Sequence, residues 1–191
     1  MALIKNNLIN IENLGVKIDK NNKKLNDGYS EKREPLYIEL AKIVKQFPER
    51  TPAEILYSVD DVPAFMGDYD TTIHILNIKI DDAIKRLEVA SYMQDRNSIQ
   101  TEINNWKYVI EKLEKNREEF ENANTMYEEY KKKHSGVIEI IFSQEVKNEI
   151  VRFNVFLSNA FGMAGHPFEE DIVREIKDRF IFAMRKDMGT L

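Results

Sequence analysis

No cysteine occurs among the 191 residues, so a disulfide framework is excluded, as is any thiolate nucleophile or metal ligand. A reducing, cytoplasmic setting is the expectation. Histidine is almost as scarce: His74, His134 and His166 are the whole set, and no two of them are close in sequence. A helix-borne metal site needs convergent ligands, such as two histidines four residues apart with a carboxylate between them. His166 beside Glu169 or Glu170 is the best local arrangement, and it reads more simply as a helix entry. Asp60, Asp61, Asp68 and Asp70 gather acidic charge but lack the alternating ligands and closing glutamate of a calcium loop, so they read as caps and solvated turns. No metal and no cofactor is expected.

Long apolar runs are missing too. None approaches the ~20 residues that cross a bilayer, and Asn6, Asn7, Asn10 and Asn13 interrupt the N-terminal apolar residues, which argues against a signal peptide. The seven glycines form no phosphate loop: the stretch from Gly162 to Gly165 is too short and has no lysine. No glycine-flanked nucleophilic serine occurs. The arginine–polar–histidine signature of helical HEPN-type ribonucleases is likewise absent, and no catalytic residue is expected. Positive charge is in deficit, 28 Lys and Arg against 33 Asp and Glu for a net −5, which speaks against a dedicated nucleic-acid binder. The one dense basic run, Lys131-Lys132-Lys133, falls near an expected helix end, where cations meet the dipole favourably.

What the chain does have is helical periodicity. Phe168, Ile172, Ile176, Phe180 and Ala183 recur every three or four residues and predict a C-terminal helix from Pro167 to about 188, with Val173, Phe182 and Met184 widening its apolar face. Pro167 and three acidic residues suit its start; Arg185, Lys186 and Gly189 suit its end. Upstream, Ile73, Leu76, Ile80, Ala83, Leu87 and Ala90, with Ile84 alongside, predict a helix over 71–92. The alternative reading of 73–80 as a strand fails because the three–four phasing runs on too long. Ile99, Ile103, Trp106, Ile110, Leu113, Phe120 and Tyr127 continue the repeat to His134, where Ser135-Gly136 is the expected stop. Arg117 and Asn124 fall on its seam, which predicts partial exposure of the far half. The two segments predict an antiparallel hairpin over about 70–134 with its tip near 94–98.

Other signals are local. Leu36, Leu40, Ile43 and Phe47 stripe a helix over 31–47 that Pro48 stops. Thr51, Pro52 and Glu54 spell a capping box that opens a short helix through Ile55, Leu56 and Val59. Ser143 is a fair cap for a helix carrying Val146, Ile150, Phe153 and Leu157, with Phe156 and Phe161 beside them. Residues 137–142 read as helical or extended packing, because no second strand exists to pair with them. Asp171, Glu175 and Asp178 alternate with Arg174, Lys177 and Arg179, a spacing that predicts surface ion pairs.

Residues 1–28 stand apart as an amphipathic helix or tail, ahead of a single bundle domain over 29–191. Ile4, Ile11, Ile18 and Leu25 repeat every seven residues, with Leu14, Asn7 and Asn21 at the alternate positions. Buried asparagine in such a seam fixes register or oligomeric state. Asn26-Asp27-Gly28 supplies the turn that follows.

The ending from Phe180 to Gly189 resembles the close of a loosely defined group of uncharacterised bacterial all-helical proteins, which often finish in a Met-Arg-Lys-Asp-Leu-Gly run. The stretch from Lys32 to Tyr37 and the helix entry from Phe142 to Val146 are similar to other parts of that group. The resemblance implies an all-helical fold and no activity. Members often carry an N-terminal membrane segment, from which the Asn-rich residues 1–25 depart.

These readings converge on an all-α protein, an elongated helical bundle with a projecting antiparallel hairpin. The expected function is non-enzymatic: helical surfaces offered to a protein partner or to a second copy. Two alternatives are weaker. The N-terminal helix has lysines for a membrane surface but neither Trp nor Phe to insert, and an enzyme would have to assemble its site from distant residues such as His166, Glu170 and Arg185. The terminal Arg185, Lys186 and Asp187 are the candidate recognition residues, because a helix stop needs the cations and Gly189 but not the aspartate.

Overall fold

The computed structural model describes residues 31–60, 62–65, 67–162 and 171–190. Among them the chain forms six helices and no strand: α1 (31–46), α2 (Pro52–Leu56), α3 (Tyr69–Val89), α4 (Met93–Ile141), α5 (Gln144–Phe161) and α6 (Ile172–Asp187). The architecture is the expected one, an elongated helical bundle with a projecting α3–α4 hairpin. The seam residues from Ile4 to Leu25 lie outside the described residues, as do His166, Pro167 and Phe168.

The 49-residue helix α4 serves two cores. At 1.5 Å per residue it is about 73 Å long. Its first half carries Ile99, Ile103, Trp106, Val109 and Leu113 into a cluster with Leu56, Phe65, Tyr69, Leu76 and Ile80 from α2, α3 and their connection. Its second half carries Ala123, Tyr127, Tyr130 and Ile138 into a larger cluster with α1, α5 and α6. There Phe153 packs edge-on against Phe47 and Tyr127, with ring centroids 5.1 and 5.5 Å away. Asn116 marks the boundary. Only 5% exposed, it donates from Nδ2 to the Arg50 carbonyl at 2.8 Å and accepts at Oδ1 from Tyr69 Oη at 2.7 Å.

Several expectations need correction. α4 does not stop at Ser135-Gly136. It has no proline, Gly136 faces open space, and the buried Ile138 draws one more turn into the core. A glycine there costs about 1 kcal/mol relative to alanine, less than that packing returns. The basic run 131–133 is therefore inside a helix, where Lys131 lies over the Tyr127 ring and bonds Asn154. The far half of α4 belongs to the bundle, so only its first half is hairpin. Arg117 and Asn124 are half-exposed because a straight helix drifts about 20° per heptad from a seven-residue repeat, and Asn116 and Ala123 turn inward in their place. The hairpin turns at 90–92, and residues 94–98 form the polar first turns of α4. Ile84 and Phe182 are 40% and 53% exposed rather than part of the buried faces.

The local signals fared well. Thr51 and Glu54 close the capping box in both directions, with Pro52 at the first helical position. Ser143 caps α5 by accepting from the Val146 amide at 3.3 Å. α6 ends in a Schellman motif: Gly189 has φ 70°, its amide donates to the Lys186 carbonyl, and Thr190 donates to Arg185, both at 3.1 Å. The helix does not run through Asp171, which has φ 73° and whose side chain makes no capping bond. Pro35 lies within α1.

Candidate functional site

The terminal candidates part company. Asp187, on the last turn of α6, turns inward to α1: Oδ2 accepts from Tyr37 Oη, and Oδ1 sits 3.3 Å from Arg33 Nη1. Arg33 also donates from Nε to the Ile141 carbonyl at 2.6 Å, satisfying the end of α4. The Tyr37 ring packs 4.5 Å from Phe142. Lys186 reaches Glu145 on α5 at 2.9 Å across an exposed surface, and Arg185 is exposed. The stretches 32–37, 142–146 and 180–189 thus meet at one end of the bundle. Sequence reasoning singled out all three but missed that they touch, since Tyr37 and Asp187 are 150 residues apart and no local pattern links them.

This cluster is suited to holding helices together. The aspartate is fully engaged by a guanidinium and a phenol, and the phenol is 1% exposed. Burial, then the Asp187 hydrogen bond, pushes the Tyr37 hydroxyl far above its ordinary pKa. Tyr69, Tyr127 and Tyr130 are raised likewise, chiefly by burial. The sign of the consequence is definite. Above pH 10 the unfolded chain loses tyrosine protons that the native state keeps, so stability falls by about 1.4 kcal/mol per tyrosine per pH unit. Lys177, held low by burial, opposes this only up to the ordinary lysine pKa, and it is one group against four. Thermal melts should therefore drop steeply as pH rises from about 10 to about 12. Tyr127→Phe should flatten that slope and cost nothing at neutral pH, because the Tyr127 hydroxyl has no hydrogen-bond partner among the described residues. A flat profile would contradict the assignment.

The remaining candidates are placed as follows. Asp68 caps α3, accepting from the Asp70 and Thr71 amides and the Thr71 hydroxyl, and these bonds hold its carboxyl below the usual range. Asp70 pairs with Arg117 at 2.6 Å. Among the described residues no three metal-ligating side chains converge, and no described helix is long and apolar enough to cross a membrane. Of the expected α6 surface pairs, only Arg174–Asp171 forms as read. Arg179 reaches across to the buried Glu149 at 2.9 Å. Lys177 turns inward, 8% exposed, and donates to the Phe47 carbonyl at the end of α1.

The hairpin tip is the feature that residue patterns did not pick out. Val89, Tyr92 and Met93 are 80%, 74% and 79% exposed, three large apolar side chains within five residues. The turn that carries them is fixed. Arg96 donates from one nitrogen to the Leu87 and Ala90 carbonyls at 3.1 and 3.2 Å, closing the end of α3. Arg86 ties the two arms together through Glu102 at 2.7 Å. The signal was available in the sequence as three apolar residues beyond the last inward position of α3.

Compared with known family models, curated proteins and solved structures, the chain matches none.

Proposed function

We propose that this chain is a non-enzymatic helical interaction protein that docks to a protein partner, or to a second copy, through the tip of its hairpin. The supporting observation is the exposed Val89, Tyr92 and Met93 on a turn clamped by Arg96. Single exposed apolar residues are ordinary, but a contiguous group of them marks a contact surface. A fixed turn also loses little entropy on binding. The N-terminal seam would serve as a second contact. Asp81, Asp82, Glu88 and Asp95 near the tip make an anionic lipid surface the poorer partner. The lack of cysteine favours a cytoplasmic setting.

The test is a triple substitution, Val89→Ser, Tyr92→Ser and Met93→Ser, read by thermal melt and by light scattering with and without partner. Exposed positions should leave stability within about 0.5 kcal/mol. Association should weaken by roughly 100-fold, as loss of buried anchors does. Association unchanged by the triple variant would refute the proposal.

A further inference from the structure

The connection between α1 and α2 is held from three sides. Lys177 of α6 bonds the Phe47 carbonyl, Asn116 of α4 bonds the Arg50 carbonyl at 2.8 Å, and Thr51 and Glu54 close the capping box that follows. Arg50, next to Glu49, is a side chain this fixed loop presents outward. It is exposed, and its guanidinium has no carboxylate partner among the described residues. It lines a cleft of about 550 Å³ between the loop and α4, and two adjoining clefts of about 900 and 780 Å³. The first cleft brings Lys45, Arg50, Lys112 and Lys115 against only Glu49 and Glu119, so the lining charge is 4 − 2 = +2 in a chain of net −5. Lys115 pairs with Glu119 at 3.6 Å. Lys112 rests on the Tyr108 ring 5.1 Å from its centroid, and Lys45, like Arg50, has no ion-pair partner among the described residues.

We propose that this cleft binds an acidic segment of a protein, with Arg50 gripping one carboxylate through its fork of donors and Lys45 and Lys112 flanking it. The cations come from separate elements, Lys45 from α1, Arg50 from the loop and Lys112 and Lys115 from α4, and several cations on different walls suit a chain of carboxylates. A lone phosphate would find a poor backbone cradle: the capping box takes the Thr51 and Glu54 amides, Ala53 is buried, and Pro52 has no amide hydrogen to give. The overall negative charge disfavours nucleic acid. Since Tyr108 lies fifteen residues beyond Met93 on α4, the site is about 22 Å from the tip and stands whether or not the tip docks.

The experiment titrates the full chain into a fluorescein-labelled hexaglutamate peptide and follows anisotropy. Binding should weaken as salt is raised. Arg50→Ala should reduce affinity by about tenfold, Arg50→Lys should recover part of that, and an unchanged melting temperature should show that both variants fold. Inorganic phosphate and a thymidine oligonucleotide should compete poorly. Failure of the wild type to bind, equal binding by Arg50→Ala, or displacement by phosphate or oligonucleotide at matched concentration would each overturn the assignment.

Discussion

Asp187→Ala is expected to destabilise the protein by about 2–4 kcal/mol. The reason lies in what it leaves behind. Arg33 and Asp187 side chains are only 16% and 14% exposed, and truncating one partner strands the other charge with much of its hydration already lost. Tyr37 Oη would lose its acceptor in the same step, adding the cost of an unsatisfied buried donor. Asp187→Asn should cost less, because an amide oxygen still accepts from the phenol. In a double-mutant cycle, Arg33→Met combined with Asp187→Ala should be milder than the sum of the single changes by about 1 kcal/mol or more. Strict additivity would mean the two side chains do not interact in solution.

Phe153→Ala should cost about 3–5 kcal/mol, the range for removing a buried phenyl ring. Phe153 is 1% exposed and contacts rings from two other helices and a loop: Tyr127 of α4, Phe180 of α6 and Phe47 just past α1. Such a site cannot collapse without moving α4, α6 and the end of α1 together, which places the cost toward the upper end. Urea melts followed by circular dichroism measure it. Trp106, the one tryptophan, lies in the other core and reports separately on the hairpin. Because α4 runs unbroken through both cores, the two probes should show one coincident transition. Trp106 fluorescence that survives loss of the bundle would mean that α4 does not transmit the damage.

Legibility in the sequence tracked the range of the interaction. Capping and stop signals act over a few residues, and Thr51, Ser143 and Gly189 were readable with their roles. Apolar phasing gave the helices, because each inward face follows from residue spacing alone. What could not be read were the long-range ties. Nothing near Lys177 distinguishes it from Arg174 or Arg179, yet it caps α1 from the inside while they face water or Glu149. Asp187 looked superfluous to its own helix, and it is: its partners belong to α1. The stop at Gly136 failed because tertiary burial of Ile138 outweighed a local propensity. The drift of a straight helix likewise moved the inward position from Arg117 to Asn116, which is how an asparagine came to sit between the two cores.

The claim on which the account rests is that the clamped tip is a docking surface. A photo-crosslinking amino acid placed in turn at Val89, Tyr92 and Met93, in the cell of origin, addresses it directly. Lys107, exposed on the same helix, serves as the control. One discrete protein adduct is expected, shared by the three tip positions and absent at Lys107. No adduct at the tip, or the same pattern from Lys107, would contradict it.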